Sequence, residues 1–228
     1  MFEKVNSKVV KVNLGLTGPV VARRGAMLFY TGHVTFSPHQ IPGAGGMGMG
    51  GLAGMAGGMV RGEHERTMIA QGKGEVHYGF KGLAVHVIDL RQGGTVTVDA
   101  SRMLGYTASM QASIVSTQSQ SSGGGGLRGA LRGAATGALT GNGLFTTQLQ
   151  GQGVVVVVAH GEVMELQVGQ EPVVVDPQAF VGTIGSVQTK LASAMSWRDA
   201  VGRGSGEAMQ LQCTGQGVVL VQASEEKL

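Results

Sequence analysis

The chain has 228 residues, 42% of them hydrophobic and 14% charged, a balance that excludes a disordered polymer and suffices for one large or two small packed domains. Its formal charge of +3, with Lys and Arg scattered, allows contact with phosphates but includes no dense basic block of the kind that marks a nucleic-acid arm. Forty-one glycines far exceed the ordinary share of roughly 7%, so many must lie in long or numerous loops.

The single cysteine, Cys213, permits neither an internal disulfide nor a cysteine-based metal site; it fits a reducing compartment and reads as a small buried residue of a strand. The opening Met1-Phe2-Glu3-Lys4-Val5-Asn6 lacks the charged head and apolar run of a signal peptide. No stretch approaches the roughly 18 consecutive apolar residues of a membrane span. The chain is therefore expected in the cytoplasm.

In chain order, one pattern recurs. Residues 20–34 (VVARRGAMLFYTGHV), 96–110 (VTVDASRMLGYTASM) and 173–187 (VVVDPQAFVGTIGSV) align without a gap. The first two share Val, Met, Leu, Tyr and Thr in register, and the last two share Val, Val, Asp, Gly and Ser, where unrelated segments would agree at roughly one position in fifteen. The spacing from Val20 to Val96 is 76 residues and from Val96 to Val173 is 77. These agreements predict three copies of one unit, at 1–85, 86–162 and 163–228, packed as one globular domain.

Each unit has the same internal order. A strand at 20–22, 96–98 or 173–175 enters a turn at Arg23-Arg24-Gly25, Asp99-Ala100-Ser101 or Asp176-Pro177-Gln178, whose Asp, Pro, Ser and Gly supply the turn chemistry. A second strand follows at 27–30, 103–106 or 180–184, rich in residues that pack on a pleated surface. A glycine-rich insert comes next, at 42–62, 122–143 or, in short form, 197–206. Then a strand leads into a Gly-x-Gly turn, Gly72-Lys73-Gly74, Gly151-Gln152-Gly153 or Gly215-Gln216-Gly217, and a strongly apolar strand follows. Short strands with close-set turn signals and almost no helical periodicity predict an all-β sandwich or barrel-like fold.

The two long inserts alternate Gly or Ala with Met or Leu. A flexible linker would lack Met and Leu, so a packing surface is expected, with Met47, Met49, Leu52, Met55, Met59, Leu127, Leu131 and Leu139 as candidate assembly residues. Arg128 and Arg132 would share one face if that stretch were helical, but two charges do not separate a binding stripe from a solvated edge.

No copy carries a recognisable catalytic constellation. The Gly-x-Gly triplets lack the further glycine and helix of a dinucleotide fingerprint and the Lys-Ser/Thr of a phosphate loop, so backbone geometry is the expected reason for Gly72, Gly74, Gly151, Gly153, Gly215 and Gly217, read as structural turns. Of His33, His39, His64, His77, His86 and His160, only the first two are close in sequence, and positions aligned with His33 hold Ser109 and Ser186. Asp99 and Asp176 align with Arg23 and read as turn-opening residues. No catalytic residue, metal site or cofactor is expected.

Three stretches together resemble a known family: VNSKVVKVNLGLTGPVVARRGAMLFYTGHVTF, GLFTTQLQGQGVVVVVAHGEVMELQV and VVVDPQAFVG. They are similar to the altered-inheritance-of-mitochondria protein 24 family, whose bacterial members are often labelled mitochondrial biogenesis proteins. The resemblance implies a fold like that of the tryptophan RNA-binding attenuator protein, with copies of an antiparallel β unit around a pseudo-threefold axis. It implies no established reaction, and its eukaryotic relatives are linked to organisation of the inner mitochondrial membrane.

The expected role is that of a non-enzymatic scaffold: a homo-oligomer that self-associates and organises a protein partner or a membrane surface. The competing expectation is a module binding a small molecule or RNA in clefts between units. An RNA site would want a repeated cation, and Lys73 aligns with Gln152 and Gln216, so nucleic acid is the weaker reading. An enzyme built from His33, His39 and Asp99 is the least supported.

Overall fold

The computed structural model describes residues 2–41, 67–116, 145–193 and 209–226. Their regular structure is almost wholly strand: β1 (Phe2–Asn6), β2 (Val9–Asn13), β3 (Val20–Arg23), β4 (Met27–His39), β5 (Thr67–Tyr78), β6 (Ala84–Asp99), β7 (Met103–Thr107), β8 (Gln111–Ser116), β9 (Phe145–Ala159), β10 (Val163–Val168), β11 (Val173–Val175), β12 (Phe180–Ser193) and β13 (Met209–Gln222). A four-residue helical turn at Leu14–Thr17 and a 3₁₀ turn at Ala100–Arg102 are the exceptions among the described residues. The strands join one antiparallel sheet in the order β1-β2-β5-β3-β7-β9-β6-β12-β13-β10, with β4 on β5, β8 on β9 and β11 on β13. The all-β expectation holds.

The turns form as Asp chemistry dictates. The Asp99 carboxylate accepts from the Ser101 N–H at 2.8 Å and the Ser101 hydroxyl at 2.6 Å, and Asp176 accepts from the Gln178 N–H at 2.6 Å.

Strand β9 explains the run of five valines. Val154, Val156 and Val158 enter one core cluster, while Val155, Val157 and Ala159 enter another. A strand covered on both faces needs an apolar residue at every position, because successive side chains point to opposite faces. Each fully buried valine or leucine is worth roughly 1.5–3 kcal/mol.

The cores divide along the chain. The first joins Val10, Val12, Val20, Ala22 and Val76 to Leu104, Val154, Val156 and Val158. The second joins Ile88, Val96, Val98, Val155 and Val157 to Val181 and Leu220. The third, built on Val168, Val175, Phe180, Leu211, Cys213, Val219 and Val221, draws its buried members only from residues 168–221.

The Gly-x-Gly triplets depart from expectation. They were expected as turns between strands, but Gly72 and Gly74 lie inside β5, Gly151 and Gly153 inside β9, and Gly215 and Gly217 inside β13. Close approach of neighbouring atoms is the reason at five of the six, and a positive φ of +120° is the reason at Gly151. A β-carbon on Gly74 would overlap the Thr31 carbonyl oxygen, and one on Gly217 would overlap that of Ile184. On Gly153 it would meet the Met110 side chain at 2.8 Å. Opposite these triplets, β4 and β12 run through unbroken with Gly32 (φ +85°) and Gly185 (φ +90°). Ala108 stands at the aligned position and disfavours that left-handed φ; here the chain turns instead, the Met110 N–H reaching the Thr107 carbonyl at 3.0 Å, and β7 and β8 are separate strands.

Inserts 42–62, 122–143 and 197–206, with Met47, Met49, Leu52, Met55, Met59, Leu127, Leu131, Leu139, Arg128 and Arg132, lie outside the described residues, as does His64.

Candidate functional site

Two seams close the sheet between successive parts of the chain. In the first, β3 pairs with β7 through Val20↔Thr107, Val21↔Tyr106 and Ala22↔Gly105. In the second, β6 pairs with β12 through Val96↔Ile184, Thr97↔Thr183 and Val98↔Gly182. The aligned segments of the outer parts are β11 and the start of β4. Among the described residues β11 pairs only with β13, and β4 only with β5, so each keeps one free edge.

Burial divides accordingly. Leu104 and Val181 are 1% and 0% exposed, whereas Leu28, at the aligned place in β4, is 51% exposed and Phe29 beside it 53%. Met27, Tyr30 and, on β11, Val174 are also exposed. A bulge at Leu28 breaks the alternation between Met27 and Phe29, but Phe29 and Tyr30 are successive paired residues and present their rings on opposite faces of one edge. Phe29 stacks on His77 with ring centroids 4.0 Å apart, and Tyr30 meets Phe36 edge-on at 5.4 Å. No charge or proline interrupts residues 27–31. Strand β11 differs: its three valines stand between Glu171-Pro172 and Asp176-Pro177, residues that blunt a sheet edge.

Each closed seam carries an arginine clamp that sequence reasoning missed. The Arg23 guanidinium donates to the Ser101 carbonyl at 2.8 Å across the first. Across the second, buried Arg102 donates to the carbonyls of Phe180 at 3.1 Å, Gln178 at 2.9 Å and Glu226 at 3.1 Å, and to the Gln222 side-chain oxygen. Burial lowers the Arg102 pKa, with Asp99 opposing. In the third turn, Asp176-Pro177-Gln178-Ala179 supplies no such cation.

The histidines are dispersed. His33 lies exposed opposite Lys73 in the β4–β5 pair. His39 Nδ1 sits 3.2 Å from the Thr67 hydroxyl, and burial lowers its pKa. Asp99 is engaged in its own turn, accepting from the Ser101 N–H and hydroxyl. His86 Nε2 lies 3.3 Å from the Glu165 carboxylate; burial lowers its pKa, Lys4 adds to that, and Glu165 opposes it. His160 Nδ1 lies 3.2 Å from Glu226. No group of three His, Cys, Asp or Glu among the described residues could hold a metal. Cys213 is buried, and burial pushes its thiol up to about 11.

A cavity of about 230 Å³ is lined by Lys4, Ser7, Val85, His86, Glu162 and Val163. It falls below the roughly 300–1,000 Å³ usual for ligand sites and mixes both signs of charge.

The family model described as mitochondrial biogenesis AIM24 matches residues 2–224. The chain belongs to that family. Family membership assigns no reaction to the edge, the clamps or the cavity. A search of curated proteins returns no match. Among solved structures, the crystal structure of protein SPYM3_0169 from Streptococcus pyogenes is similar, with a TM-score of 0.66 at 17% identity over 98% of this chain and 92% of that one. At that identity the likeness speaks to the fold alone. No helix of the described residues is long and apolar enough to cross a membrane.

Proposed function

We propose that this chain is a non-enzymatic assembly protein: three β units about a pseudo-threefold axis, self-associating to organise a partner or surface. The unit reading is supported by the seam registers, which repeat at the aligned residues 20–22 with 105–107 and 96–98 with 182–184. The observation that carries self-association is the exposed run Met27, Leu28, Phe29 and Tyr30, free on its outer edge and apolar on both faces. A second copy is the favoured occupant, meeting this edge with its own. The other free edge, β11, is flanked by acids and prolines and is the poorer acceptor. Like edges meeting across a twofold give a closed assembly.

Light scattering on a sizing column tests this with the intact chain beside a Leu28→Lys/Tyr30→Lys variant. A discrete oligomer that becomes monomeric in the variant is the expected result. A strictly monomeric intact chain at micromolar concentration contradicts the proposal. A chain lacking residues 43–60, run alongside, tests whether the first insert contributes. Saturable binding of tryptophan, nucleotide or RNA by the monomer would favour the competing role as a binding module.

A further inference from the structure

The first seam's acceptor strand reads Met103-Leu104-Gly105-Tyr106-Thr107, and the open edge reads Met27-Leu28-Phe29-Tyr30-Thr31. The two segments differ at one position. The donor strands are nearly alike as well, Val20-Val21-Ala22 in the closed seam and Val173-Val174-Val175 at the other free edge. The chain therefore carries both halves of a third seam and leaves them apart.

The differing position is the one where the closed seams tolerate no side chain. A β-carbon on Gly105 would lie 2.8 Å from the Val21 carbonyl oxygen and 3.2 Å from the Ala22 β-carbon. On Gly182, which holds the same place in the second seam, it would lie 2.6 Å from the Thr97 carbonyl oxygen and 3.2 Å from the Val98 α-carbon. Neither glycine has a positive φ, so space alone demands it. Val98 faces Gly182 as Val175 would face position 29, so the valine on the donor side is no obstacle.

We infer that Phe29 is a wedge that keeps the third seam from forming, both within one chain and head-to-tail between copies. It acts on assembly specificity. With β11 refused, the apolar edge of β4 is reserved for a partner that docks in another register, and unbounded head-to-tail growth is prevented. This rests on the unit reading of the proposed function, but not on the intact chain being an oligomer.

The test is amide hydrogen exchange and light scattering on the whole chain as Phe29→Gly, with Phe29→Ala as control. Both variants lose the ring stacked on His77, and only the first removes the β-carbon. Phe29→Gly is expected to slow exchange at 173–175 by roughly tenfold or more, while 104–107 stays unchanged as an internal reference. Unchanged mass would mean that the ring closes within the chain; mass rising with concentration would mean head-to-tail growth, and either supports the wedge. Phe29→Ala is expected to exchange like the parent. Parent-like exchange at 173–175 in Phe29→Gly at every concentration overturns the inference, and so does equal slowing in Phe29→Ala. A monomeric parent would refute self-association while leaving this result intact.

Discussion

Residues 103–107 and 27–31 are nearly the same sequence in opposite circumstances. The first is buried between β3 and β9, with Leu104 in a core shared by two parts of the chain and with two arginines at the turn that enters β7, Arg102 within that turn and Arg23 donating to Ser101. The second pairs on one side only, and its Leu28 faces outward. The contrast teaches that strand propensity and apolar content fix neither burial nor partner. The wedge we propose places that difference in a single β-carbon at the crossing point, absent at Gly105 and Gly182 and present at Phe29.

The largest effect that sharpens this contrast is a matched pair of truncations. Leu104→Ala is expected to cost roughly 2–5 kcal/mol in urea unfolding, because the cavity cannot collapse between packed strands. Leu28→Ala should stay within about 0.5 kcal/mol when measured on the monomer, as an exposed substitution does. Equal losses would mean that the β4 edge is packed within the chain.

Removing a clamp comes next. Arg102→Met keeps the stem but removes the donor to the Phe180 carbonyl and leaves the Gln178 carbonyl only the longer contact from the Gln222 amide at 3.4 Å, for a loss of roughly 3 kcal/mol. A chevron or equilibrium titration reads it directly, and a loss below 1 kcal/mol, on the order of one ordinary hydrogen bond, would show the clamp to be incidental.

The smallest effect is on pH dependence. His39 and His86 both have folded pKa values below 6.5, so the folded chain binds fewer protons than the unfolded chain in that region. Their contribution is fully present above the unfolded value and is lost as pH falls through the folded ones. The urea midpoint should therefore hold steady above about pH 6.5 and decline below it, with a shallower decline in His86→Gln. An unchanged slope in that variant would assign the pH dependence elsewhere.

Much of the fold was legible because local chemistry and tertiary structure agree. Residues 173–175 form β11 as expected, and Asp99 and Asp176 open their turns through the predicted hydrogen bonds. The Gly-x-Gly triplets misled because glycine marks close backbone approach as readily as a turn, and only the neighbouring strand reveals which. Arg102 gave no signal, since its acceptors are backbone carbonyls 76 to 124 residues away. The open edge did leave a trace, Phe29 aligned with Gly105 and Gly182, whose meaning depends on knowing what those glycines face.

The central claim is that residues 27–31 form a free edge that a second copy covers, while 104–107 are sealed within the chain. Hydrogen exchange of the intact chain at two concentrations, below and above its association midpoint, tests it most directly. Protection at 104–107 is predicted to be the same at both; of the amides at 27–31, those bonded to β5 are protected at both, and those on the free edge only at the higher. Strong protection of the outward-facing amides of 27–31 that does not change with concentration, in a chain that remains monomeric, would contradict it.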